Sequence, residues 1–335
     1  MKAKIFSLCA LAAAVGLTSC NQNNNGGDDS LEILLSSGVS VSTKTPSTKA
    51  PLETGQTYTT YVAGWESATG FDATAQTTWI STADVQVSPD VLPIALNPAR
   101  QYNAAAATLT HIVGWYPLGT NLVEGTVTAG TAQLTGGLIE FATDGAATAD
   151  KDVVYAGHIS GSRGNKIIDQ AADNELIFQH KTTQVKFKVT VVEAGLTDVE
   201  LTSLTLKNAK GPVSLNLADG TMTWNADPQE FDVLDVAYDV DEKVVNATSD
   251  QLDVIGEALM VSPVANNTTL AIDAQVSING TPLPAIEDRL LVTPTGEFEE
   301  GTAYTFLLRI SQNGISLEGR IEPWTEEEGT DVDLF

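Results

Sequence analysis

Basic residues are scarce in this chain. Its 335 residues include 17 Lys and Arg against 43 Asp and Glu, giving a formal charge of −26 and a pI near 4.2. A surface of that sign repels polyanions, which excludes nucleic acid as a partner. Two cysteines are too few to staple a chain of this length, so a disulfide scaffold is excluded as well. The three histidines, His111, His158 and His180, lie far apart and form no HxxxH or HExxH pair to grip a metal. There is no GxSxG, GxGxxG or P-loop pattern, and the glycines of Gly157–Lys166 have the wrong spacing for a phosphate cradle. No cofactor is implied and no catalytic residue stands out. Aromatic and charged residues make up only 6% and 18%, but 42% hydrophobic residues suffice for packed cores, and the length allows about two domains.

The N-terminus has the parts of an export signal. Lys2 and Lys4 precede a 13-residue apolar run, Ile5–Leu17, which is too short to cross a bilayer as a helix. Leu17-Thr18-Ser19-Cys20 then resembles a bacterial lipobox, whose cysteine is acylated when the preceding peptide is removed. The expectation is a signal peptide over 1–19, lipidation of Cys20 and attachment to a membrane through its acyl chains. Removing Lys2 and Lys4 with the signal moves the formal charge from −26 to −28. The polar segment 20–30, with NQNNNGGDD at its centre, reads as a flexible tether.

Beyond the tether, period-two patterns dominate. Val185, Phe187, Val189 and Val191 alternate with polar residues, as do Leu270–Ile278 and Tyr304–Ile310, which predicts half-buried antiparallel strands. Asp219-Gly220, Asn279-Gly280 and Asn313-Gly314 are hairpin turn signals. Helical periodicity is confined to a turn or two in Ile167–Glu175. The fold class is therefore all-β. Gly161–Asn165 is a flexible cluster that suggests a boundary, giving units of 31–165 and 170–335. Acidic groups at Asp239, Asp241 and Glu242, and at Glu326–Glu328, read as solvated faces before they read as Ca²⁺ sites. The five tryptophans, 65, 79, 115, 224 and 324, are scattered singly, a pattern of core packing more than of a sugar-stacking platform.

Several segments resemble, in order, those of the fimbrillins and Mfa-like proteins of Bacteroidales, the type V pilins. They are His111–Pro117 with its aromatic–Pro ending, Asp152-Val-Val-Tyr-Ala156, Leu176–Val191 with Phe-x-His, and Tyr304–Trp324 with Ile-x-x-Trp. Thr48-Lys49-Ala50 resembles the Thr-Arg-Ala that follows the family's first strand. The resemblance implies two transthyretin-like β-sandwich domains and a structural role at the outer membrane and in fimbriae. The implied partners are other fimbrial subunits, a trypsin-like maturation protease, the outer membrane through the lipid anchor, and a host or bacterial receptor. Cleavage would free the first strand, within Leu31–Val41, and a neighbour's strand would take its place. Lys44 and Lys49 are the only basic residues between Cys20 and Arg100, so they are the two candidate cleavage positions, Lys49 matching the family position with Lys in place of Arg. Donor-strand candidates are Ile315, Leu317 and Ile321, which read first as the return arm of the Asn313-Gly314 hairpin, and the tail with Val332 and Leu334, which is the better free donor. Asp29-Ser30-Leu31 also resembles a Bacteroidetes O-glycosylation motif. The competing readings are a surface glycan- or ligand-binding lipoprotein that never polymerises, and a two-carboxylate hydrolase supported by acid abundance alone.

Overall fold

The computed structural model describes residues 31–39, 57–86, 91–142, 152–170, 174–241, 244–265 and 269–322. Its first ten elements are β1 (Leu35–Val39), β2 (Thr57–Ser67), β3 (Trp79–Gln86), β4 (Leu92–Ile94), β5 (Leu96–Asn97), β6 (Leu109–Tyr116), the helical turn α1 (Glu124–Thr128), β7 (Leu138–Glu140), β8 (Val154–Gly161) and β9 (Leu176–His180). There follow β10 (Thr183–Val191), β11 (Val199–Ala209), β12 (Pro212–Asn216), β13 (Met222–Trp224), β14 (Gln229–Asp232) and β15 (Tyr238–Asp239). The last are β16 (Ile255–Val261), β17 (Ala271–Ile278), β18 (Thr281–Pro282), β19 (Ile286–Leu290), β20 (Ala303–Ser311) and β21 (Gly314–Glu322). The chain is all-β, as its alternation predicts.

Eight strands form one sheet in the order β4-β1-β9-β8-β6-β2-β3-β5. Its two ends are consecutive in sequence, because β4 pairs with β1 and β5, one residue further on, pairs with β3. Residues 92–97 therefore carry the sheet from one edge to the other and leave little free edge at this seam. Inside lies an apolar cluster with Leu35, Val39, Val62, Trp79, Ile112, Leu176 and Phe178. The outer face of β2 and β6 is buried too, through Tyr61, Trp65, Val113 and Trp115, under Val127 of α1, Ile139 of β7, and Leu215 and Leu217 from β12 and the turn after it. Pairing of β7 with β12 brings this cover in from the C-terminal half. Burial on both faces explains the continuous apolar stretches Tyr61–Trp65 within β2 and Ile112–Trp115 within β6.

In the C-terminal half, the sheet β16-β10-β20-β21 faces a second one built on β14-β11-β17-β18, with β15 and β19 alongside. A single cluster fills the space between, including Val185, Phe187 and Val189 of β10, Leu201 and Leu206 of β11, Ile272 and Val276 of β17, and Phe306 of β20. The hairpin turns fall where expected, with Asn279 and Gly280 at φ +51° and +69° between β17 and β18. The segment Leu176–His180, read from sequence as opening the second unit, hydrogen-bonds to β8 and β1 of the first sheet, and the chain crosses to the second at Lys181-Thr182. Alternation identifies a strand but not its neighbours, which here lie far away in sequence.

Candidate functional site

The segment Leu31–Val39 has the alternation of a half-buried strand. Ile33, Leu35, Ser37 and Val39 point inward at 1–6% exposure, while Leu34 is 48% exposed. Three parts of the chain hold its backbone. The Ile33 N–H donates to the Arg100 carbonyl at 2.8 Å, and the Tyr102 N–H donates to the Leu31 carbonyl at 2.7 Å. β1 then pairs antiparallel with β4, Leu35 opposite Ile94, and parallel with β9, Val39 opposite Phe178. The first strand of the fold is thus an interior strand, closed in on both sides.

The slot it fills is lined by Ile94, Leu96, Tyr102, Ile167, Leu176 and Phe178. Tyr102 fixes one wall, its hydroxyl accepting the Ile167 N–H at 2.8 Å, and burial pushes its phenol pKa up. Arg100, the only basic residue from 57 to 142, is turned away from the slot. Its guanidinium donates to Ser81 Oγ and the Ile80 carbonyl, both at 2.7 Å, and lies 5.6 Å from the Trp79 ring centre. Burial of Ile33, Leu35 and Val39 contributes about 1.5–3 kcal/mol for each side chain. An apolar trough flanked by backbone donors and acceptors can do one thing well: hold an extended segment whose alternate side chains are apolar.

The residues singled out from sequence are distributed as follows. Ile315, Leu317 and Ile321 lie on β21, the edge strand that pairs with β20 along its length, and pack partly buried against the C-terminal core. Cys20, Lys44, Lys49, Val332 and Leu334 lie outside the described residues, as do Glu242, Glu326–Glu328 and Trp324. Trp65, Trp79 and Trp115 are core residues. Among the described residues no three His, Cys, Asp or Glu side chains gather to hold a metal ion.

Two of the motifs prove to be halves of one contact. Asp152 and His180 face each other across the start of β8 and the end of β9, with His180 Nδ1 2.9 Å from Asp152 Oδ2. Thr182 Oγ1 donates to Asp152 Oδ1 at 3.0 Å. All three are buried, at the crossing between the first sheet and the second. Sequence reading treated them separately because they lie 28 positions apart. It also missed the closing role of residues 92–102, whose short irregular strands carry no periodic signal.

An all-β chain with an enclosed first strand and a C-terminal sandwich matches the profile of one family, described as fimbrillin-like, over residues 66–324. The chain belongs to this family, which places it among fimbrial subunits and adhesins of the cell surface. Its fold is similar to that of a protein of Bacteroides uniformis described as a candidate cell adhesion protein, at a TM-score of 0.52 and 16% identity, covering 90% of this chain and 100% of that one. A fimbrial protein of Bacteroides vulgatus aligns at 0.49 and 17%, covering 87% and 99%. No curated protein matches the sequence.

Proposed function

We propose that this chain is a surface lipoprotein, anchored through Cys20, that becomes a polymerising fimbrial subunit when its first strand is released. The observation that carries the reading is the enclosed position of Leu31–Val39, connected to β2 only through the segment that holds Lys44 and Lys49. A trypsin-like cut after either lysine turns an integral strand into a bound peptide. Its departure leaves unpaired N–H and C=O groups on β4 and β9 beside an apolar trough. An alternating segment of a second subunit restores the ladder and the core together. Because trough and donor are different parts of each subunit, the contact is heterologous and propagates.

Of the donor candidates, the tail with Val332 and Leu334 is favoured, since Ile315, Leu317 and Ile321 are already used by β21. No step of this process requires a cofactor or a catalytic side chain of the subunit itself. The test is limited trypsin digestion followed by an unboiled gel. Ladders that need cleavage, vanish in the Lys44→Ala/Lys49→Ala double variant and vanish on deletion of 325–335 are the expected result. Monomers after complete cleavage at both lysines refute it, and sugar binding by those monomers favours the non-polymerising reading.

A further inference from the structure

The two histidines at the outer end of the first sheet face each other. His111, on β6, is 3% exposed, and its Nδ1 lies 2.8 Å from Nε2 of His158. A β-bulge makes this possible. Ile112 pairs with Ile159 and Gly114 with Ala156, so Gly157 and His158 together oppose Val113. The rings are 5.0 Å apart between centres and tilted by 31°. Such spacing sets the two nitrogens nearly head to head, sharing one hydrogen. His158 itself is exposed, and its face is stacked on Phe71 at 4.4 Å and 4°. Phe71 in turn meets the edge of Trp65 at 5.3 Å.

Proton counting decides what this pair does. With both rings neutral, one hydrogen lies between them and one more is needed. On His158 Nδ1, at the exposed ring, it costs little. On His111 Nε2 it costs much, because that atom is buried and has no hydrogen-bond partner among the described residues. The neutral pair therefore has His111 Nδ1–H donating to His158 Nε2. An added proton that leaves the bridge intact must occupy His111 Nε2. The alternative is a His158 imidazolium whose Nε2–H points at the His111 N–H, and that ring must swing away.

We propose that His111 and His158 form a proton-binding latch in which uptake of a single proton by His158 breaks the bridge and releases Phe71 with residues 68–72. The far end of that loop is anchored independently, by the Thr77 N–H on the Leu134 carbonyl and the Gly136 N–H on the Thr74 carbonyl. In the near part the hydrogen bonds are local ones, Thr69 to Ser67 and Thr74 and Ala75 to Asp72, and the contact with the sheet runs through the Phe71 ring against His158, His111 and Trp65. Around the pair, β6 and β8 carry no other charged residue. Glu66, on β2, is hydrogen-bonded to Asn103, and Asp72, on the loop, to Thr74. Burial lowers both imidazole pKa values, and the neighbouring His111 lowers that of His158 further, so opening falls on the acid side of the usual imidazole range. Acid thereby loosens one end of the first sheet without touching the enclosed strand.

The test is a pH titration of the full chain by NMR, reading the ring signals of the three histidines and the NOE between the Phe71 and Trp65 rings together. His158 is expected to take its proton below pH 6.5 while His111 stays neutral. The Phe71–Trp65 NOE should then fade in step with the His158 titration, as release by one bound proton requires. In His111→Phe, which removes the opposing N–H, His158 should titrate with the Phe71–Trp65 NOE retained. An NOE that stays constant in the parent protein overturns the proposal, as does joint titration of both rings, or an unchanged acid response in His111→Phe.

Discussion

Leu34 and Leu35 are chemically identical neighbours on opposite faces of one segment, one 48% and the other 1% exposed. Leu35→Ala deletes three carbons from the enclosed core, and buried Leu→Ala changes cost about 2–5 kcal/mol, the larger values where the site cannot collapse. Collapse is opposed here by β4 and β9, which hold the strand from both sides. Before cleavage the loss appears as lower stability of the whole protein. After cleavage at Lys44 or Lys49 it also appears in the grip on the released strand. At about 1.4 kcal/mol per factor of ten, 2–5 kcal/mol weakens that grip roughly 30- to 4,000-fold. Leu34→Ala removes the same atoms from the outer face and should stay within about 0.5 kcal/mol of the parent.

Mass spectrometry of the nicked protein, gel-filtered at intervals, measures how long the N-terminal peptide stays bound. The expected order is parent and Leu34→Ala together, with Leu35→Ala far faster. Polymer growth after nicking should accelerate in the same order if strand departure limits it. Equal retention in Leu34→Ala and Leu35→Ala would refute the enclosed strand as the exchanged element, whatever the gels show. Loss of polymer with faster departure would instead locate the limiting step in donor entry.

Removing Asp152 leaves His180 and Thr182 without their shared acceptor in a buried place, so Asp152→Ala should lower stability by about 1–3 kcal/mol, read from urea unfolding. Gly256 has φ +60°, and a Cβ there would lie 1.8 Å from the Val233 carbonyl oxygen. Gly256→Ala should therefore cost more than about 2 kcal/mol in the same assay, unlike Gly296→Ala, which meets no neighbour and suffers only the backbone strain of φ +84°. Tyr155 donates its hydroxyl to the Leu217 carbonyl at 3.1 Å, and burial together with Asp219 pushes its pKa up to about 12. The folded state then holds this proton more tightly than the unfolded chain, so the stability it adds is full below pH 10 and lost between about 10 and 12. Tyr155→Phe should flatten that part of the alkaline unfolding curve and cost about 0.5–1.5 kcal/mol at neutral pH.

How much of this was legible beforehand depends on the range of each interaction. Alternation at Val185–Val191 and Tyr304–Ile310, and the turn at Asn279-Gly280, are local signals, and each marks a real strand or turn. The prediction of half-buried antiparallel strands does not hold for the first two, because β10 and β20 run parallel to each other and β10 is buried on both faces. Which sheet a strand joins is not local. Leu176–His180 and Thr183–Val191 have the same pattern and only two residues between them, yet they serve different cores. Enclosure of β1 was beyond reach for the same reason. It depends on β9, about 140 residues away, lying parallel to it, and on the kinked β4–β5 segment shutting the other side. The two histidines show the limit most sharply. They lie 47 positions apart, and the bulge that turns His158 toward His111 adds one residue to a strand whose alternation hides it. Spacing rules for metal ligands assume both residues on one element. A pair assembled across two strands escapes those rules, and only the register of β6 against β8 shows that the chain has built a shared-proton contact there.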